Sequence, residues 1–124
     1  VGSDLRIAGG VTECELAALY CIADAALFVT GGEGFGFPIL EAMHAGVPVI
    51  TSNRSASAEI AADAALHADP DNPNEIAAKL VELFSQPELR ERLRNAGPTR
   101  AAEFSWARCG DELAALYRRE AERG

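Results

Sequence analysis

Short apolar runs that each give way to a longer helical pattern constrain this chain more than anything else in it. Leu5-Arg6-Ile7-Ala8 ends in Gly9-Gly10. Thr12 then stands three residues before Glu15, a capping-box spacing, and opens a helix with Leu16, Leu19 and Tyr20 on one face. Ala25 to Thr30 reads as a second, buried strand that stops at Gly31-Gly32. Pro38 suits the first position of a helix running through Met43 to Gly46, where the glycine suits a C-terminal cap. Val47-Pro48-Val49-Ile50 reads as the third strand, Ala58 to Ala62 as a short helix, and Ala64 to His67 as a fourth strand before a turn-rich stretch from Ala68 to Pro73. Helices are then expected over Asn74 to Phe84, over Pro87 to about Phe104 with a break near Gly97-Pro98, and over Ser105 to Glu122 with Leu113, Leu116 and Tyr117 as an apolar stripe. Parallel neighbours cannot be joined by hairpins, so the alternation predicts an α/β fold, a short parallel sheet with crossover helices and a helical C-terminal tail.

The 124 residues amount to about one domain, large enough to bury roughly two thirds of the surface its unfolded form exposes without a metal or disulfide staple. A net charge of -8 has the wrong sign for phosphate backbones or anionic lipid, so nucleic acid is not an expected partner. Apolar runs such as Ala61 to Leu66 are broken by charge well short of a membrane span. Cys14, Cys21 and Cys109 form no metal-type pair, and an odd count without a signal segment points to reduced thiols and a cytoplasmic setting. Cys14 and Cys21, seven apart on one helix face, are expected to be small buried packing residues. The chain opens on Val1 rather than methionine, as a piece of a longer protein, a processed product or a trimmed chain would.

Ligands of an open parallel sheet bind at the carboxyl ends of the strands, where loops enter helix N-termini. The richest such loop is Gly31-Gly32-Glu33-Gly34-Phe35-Gly36-Phe37-Pro38. Its glycines let backbone N–H groups approach a ligand closely, and the helix that follows offers unpaired N–H groups and partial positive charge, the makings of a phosphate or sugar cradle. The alternative is a turn that merely reverses the chain. No G-x-G-x-x-G is present, and Lys79 precedes Leu80 rather than Ser or Thr, so neither a dinucleotide fingerprint nor a P-loop is found. Glu33 in the loop and Glu41, expected in the first turn of the helix, frame the cradle; ionised carboxylates accept strongly from sugar hydroxyls. His44 and His67 read as packing or surface histidines, and Arg54 as a solvated loop residue near the cleft.

Glu33-Gly34-Phe35-Gly36-Phe37-Pro38-Ile39-Leu40-Glu41-Ala42-Met43, followed by Ala45-Gly46-Val47-Pro48-Val49-Ile50, closely resembles the C-terminal, donor-binding half of GT-B retaining glycosyltransferases of the family 4 type, which includes many bacterial sugar transferases. Gly10 to Asp24, Ala58-Glu59-Ile60 with Asp63-Ala64-Ala65, and Phe104-Ser105-Trp106 with Tyr117 agree with the flanking family segments, so the resemblance covers nearly the whole chain.

The resemblance implies half of a Rossmann-like GT-B donor domain over residues 1–124, transferring a hexose from a nucleotide diphosphate sugar to an acceptor with retention. Glu41 would bind the ribose hydroxyls, Glu33 would contact the hexose near its reacting carbon as the catalytic carboxylate, and backbone amides of Gly34, Phe35, Gly36 and Phe37 would meet the sugar or diphosphate. No metal or cofactor is implied, because basic groups and a helix terminus neutralise the leaving diphosphate. The acceptor domain and the start of the donor domain would precede Val1, and the last helix would pack across to the absent part. The isolated chain is therefore expected to be inactive, and to self-associate or pair the edge of its Ala25 to Thr30 strand with Leu5 to Ala8. Thr30-Gly31-Gly32 departs from the proline-serine pair common in the family. A non-catalytic binding or assembly module on the same scaffold and a GT-B epimerase or phosphorylase relative are the other readings.

Overall fold

The computed structural model describes residues 4–32 and 34–124. Its elements run in the order α1 (Glu13–Ile22), β1 (Ala26–Phe28), α2 (Phe37–His44), β2 (Val49–Ser52), α3 (Ser55–Ala61), a 3₁₀ turn (Ala62–Ala64), β3 (Leu66–Ala68), α4 (Pro73–Ser85), α5 (Pro87–Ala101) and α6 (Trp106–Arg123). The strands form one parallel sheet in the order β1-β2-β3, with Leu27 opposite Ile50 and Ile50 opposite Leu66. This is the α/β architecture that the alternating pattern predicts.

Every residue of the central strand β2 is buried. Because successive side chains leave a strand on opposite faces, Val49 joins a core with Ile39, Met43 and Ile60, while Ile50 joins one with Leu66, Leu83 and Leu93. Both faces are thus covered, as parallel sheets require. Leu93, Gly97 and Ala101 are buried in α5 at a spacing of four; Gly97 and Ala101 meet α2 around Met43, while Leu93 joins the core of Ile50, Leu66 and Leu83. A Cβ on Gly97 would stand 3.2 Å from the Met43 carbonyl oxygen, so only glycine admits this close approach without a shift.

Leu5 to Ala8 forms no strand, and Ile7 is 84% exposed. A strand exists only by pairing, and among the described residues β1 pairs with β2 alone, so the expected edge pairing with Leu5 to Ala8 is not made. The break expected at Gly97-Pro98 is also absent. Proline removes one helical N–H, but the packing of Leu93, Gly97 and Ala101 carries α5 through it. The three cysteines are exposed rather than buried, because no residue of α1 or α6 is buried. Trp106 (81% exposed), Leu113, Leu116 and Tyr117 lie open along α6.

Candidate functional site

Because all three strands are parallel, the loops after β1, β2 and β3 gather along one edge of the sheet. The loop after β1 is anchored at its base. The Ser52 hydroxyl accepts the Thr30 N–H at 2.9 Å and donates to the Thr30 carbonyl, while the Thr51 hydroxyl donates to the Phe28 carbonyl at 2.8 Å. These bonds tie the start of the glycine loop to the central strand.

Gly36 is the N-cap of α2 with φ of 87°, a left-handed conformation that side chains rarely adopt. A Cβ there would sit 3.1 Å from Ile39 Cδ1. Around Gly31, Gly32 and Gly34 an added Cβ would meet nothing within 4 Å, so packing of the described chain does not demand glycine at those positions. Space over their backbone remains open to a ligand. No side chain caps α2, and its first turn holds Pro38 but no acid. Phe37 rather than Pro38 is the first helical residue.

Glu33 lies outside the described residues. Glu41 stands one residue beyond the first turn of α2, not within it as expected, because the helix starts at Phe37. Its carboxylate is exposed, and Oε2 lies 3.3 Å from the Tyr20 hydroxyl, which also lies 3.5 Å from the Pro38 carbonyl. Burial pushes the Tyr20 phenol above its ordinary range, helped by the Glu41 charge and by their hydrogen bond. Sequence reading placed Tyr20 only on the apolar face of its helix; a phenol near a helix end, whose hydroxyl requires a partner when partly buried, was the available signal.

Two open clefts meet along a ridge of Phe37, Leu40 and Phe104. One, of about 840 Å³, is lined by Gly34, Phe35, Glu59, Arg100 and Trp106; the other, of about 610 Å³, by Leu16, Tyr20, Glu41 and His44. The Phe35 ring lies 4.9 Å from that of Phe37 and 6.1 Å from that of Phe104, while Arg100 stands over Phe104 at 4.9 Å. The loop thus carries two rings besides its glycines.

Arg54 does not reach into either cleft. Its guanidinium bonds to Asp69 at 2.6 Å and Asp71 at 2.7 Å, joining the loops after β2 and β3, and these contacts, led by the Asp71 hydrogen bond, hold its charge more firmly than usual. His67 sits between the carbonyls of Ser52 and Ala62, and His44 ends α2 at the surface. Among the described residues no three His, Cys, Asp or Glu side chains form a group that could hold a metal, and no helix is long and apolar enough to cross a membrane.

Several known proteins are similar to this chain. The O-antigen chain mannosyltransferase B of Escherichia coli is 36% identical over 114 residues, covering 92% of this chain and 30% of that protein. The chain therefore spans under a third of that relative. The sucrose-phosphate synthase of Thermosynechococcus elongatus superposes on 99% of this chain and 32% of its own with a TM-score of 0.80 at 24% identity, which speaks to the fold alone. The C-terminal domain of a glycosyl transferase group 1 family protein (LpcC) from Francisella tularensis covers 78% of this chain and 51% of its own, with a TM-score of 0.70 at 29% identity. The model of the family "Glycosyl transferases group 1" matches residues 1–100. The chain belongs to the group 1 glycosyl transferases and has their Rossmann-like GT-B fold.

Proposed function

We propose that residues 1–124 are the C-terminal part of the donor-binding domain of a retaining, family 4 type glycosyltransferase. The longer protein transfers a hexose from a nucleotide diphosphate sugar to an acceptor. One observation carries the reading: an open glycine loop runs into an α2 N-terminus that no side chain caps, with the exposed Glu41 carboxylate just beyond its first turn. Backbone N–H groups and the positive end of α2 suit a diphosphate, and a free carboxylate oxygen suits a vicinal diol.

In this reading Glu41 accepts the ribose hydroxyls, the amides of Gly34, Phe35, Gly36 and Phe37 face the sugar or diphosphate, and Glu33 lies near the reacting carbon. The leaving diphosphate is neutralised by the helix terminus and by basic groups of the preceding part of the protein, without a metal. The mannosyltransferase relative makes mannose the first hexose to try. The open apolar stripe of α6 is the surface that the rest of the protein covers, and the isolated chain is catalytically silent.

Full-length protein carrying this chain, assayed against UDP-, GDP- and ADP-sugars in the presence of EDTA, tests the proposal. Transfer with retained anomeric configuration, and a Glu33→Gln variant that loses turnover more than donor affinity, are the expected results. Absence of transfer and of binding with every donor contradicts it.

A further inference from the structure

We infer that Tyr20 is a positioning residue for the nucleotide site, holding the Glu41 carboxylate so that its second oxygen faces the ribose. The inference rests on the reading of Glu41 as the ribose ligand.

Helix α1 has no buried residue, and at its start Thr12 and Glu15 form a reciprocal capping box, with the Thr12 N–H donating to Glu15 at 2.7 Å. Near its other end, Tyr20 lays its ring against the core that contains Ala42, Met43 and Ala101. That contact aims the phenol across to α2, where Glu41 Oε2 and the Pro38 carbonyl lie at 3.3 and 3.5 Å. A phenol carries one proton, so the two acceptors share a single donor. Pro38 and Glu41 are three apart on α2, and the shared donor fixes the carboxylate against its own helix.

Glu41 has three rotatable bonds and an exposed head, and it makes no salt bridge among the described residues. Left alone it would sample many rotamers, each of which must be given up on binding. Tyr20 occupies Oε2 and leaves Oε1 without a hydrogen-bond partner among the described residues. A carboxylate with one oxygen held and the other open is prepared to accept a pair of neighbouring hydroxyls, and the gain is preorganisation rather than a new contact to ligand.

The test is a cycle on protein and ligand together, using the full-length protein. Affinities of GDP and UDP, and of their 2′,3′-dideoxy counterparts, are measured for wild type, Tyr20→Phe, Glu41→Gln and the double variant. Phenylalanine keeps the ring against the core, so thermal stability at neutral pH monitors folding separately. Tyr20→Phe should weaken the ribonucleotide about tenfold, leave the dideoxynucleotide unchanged, and add little in the Glu41→Gln background, since coupled residues are not additive. Equal weakening of both nucleotides by Tyr20→Phe would mark a merely structural role and overturn the inference. If Glu41→Gln discriminates between the nucleotides and Tyr20→Phe does not, the positioning role falls and the ribose reading stands. If Glu41→Gln fails to discriminate, the ribose reading falls, and the role of Tyr20 with it.

Discussion

The Ser52 hydroxyl closes a two-way link with the backbone of Thr30, accepting its N–H at 2.9 Å and donating to its carbonyl. Ser52 is buried at the end of the central strand, so the root of the glycine loop is tied to the one strand whose residues are all buried among the described strands. Ser52→Ala leaves both Thr30 groups without this partner at a part-buried position. The cost should be about 1 to 3 kcal/mol, with an unchanged m-value in urea unfolding, because the compactness of the fold is not altered. Donor affinity should drop as well, since the loop is no longer held at its base. Wild-type stability in this variant would show that the link does not anchor the loop.

The approach of α5 to α2 sets a second expectation. In Gly97→Ala the new methyl meets the Met43 carbonyl oxygen at 3.2 Å and its Cα at 3.3 Å, both backbone atoms that cannot rotate away. Overpacking of this kind costs about 1 to 3 kcal/mol, against a helix-propensity gain of up to about 1 kcal/mol, so a net loss of about 1 kcal/mol is expected. The melting temperature should fall by a few degrees. A rise would mean that propensity outweighs the contact and that α2 moves freely against α5.

Two groups give the stability a pH dependence of known sign. The Tyr20 phenol is raised in the folded chain, first by burial and then by Glu41. Its contribution is whole below the unfolded value near 10 and fades as pH rises through the folded one. Alkaline unfolding should therefore be shallower in Tyr20→Phe. Glu15 is lowered, chiefly by its bond from the Thr12 backbone, so its contribution is present above the ordinary carboxylate value and is lost as pH falls through the depressed one. Urea midpoints collected from pH 3 to 11 for wild type, Tyr20→Phe and Glu15→Gln separate the two. Identical profiles for all three proteins would contradict both assignments.

The sequence carried those parts of the fold that are set by local rules. Thr12 and Glu15 announce a capping box that the structure contains, and Gly46, at φ of 71°, follows α2 where a left-handed residue ends a helix. The alternation of apolar runs dictated a parallel sheet because β2 is buried on both faces. What failed depended on partners distant in the chain. Leu5 to Ala8 has a strand's composition but no ladder to join, Pro98 sits in a helix held by its contact with α2, and Cys14 and Cys21 lie on a helix with no buried residue. At the candidate site, the motif points to the loop and to Glu41. The ties from Ser52 to Thr30 and from Tyr20 to Glu41 were not legible, because they join residues 22 and 21 positions apart.

The central claim is that the loop after β1 and the start of α2 form the floor of a nucleotide-sugar site. Backbone amide resonances of isotopically labelled full-length protein, followed during titration with a nucleotide sugar, address it directly. The account predicts that Gly31, Gly32, Gly34, Phe35, Gly36 and Phe37 shift together and saturate, and that Glu41→Gln requires roughly tenfold or more ligand to reach the same shifts, as expected for a lost charge-assisted hydrogen bond. Saturable shifts confined to residues away from this loop, with the six amides unmoved, would contradict it.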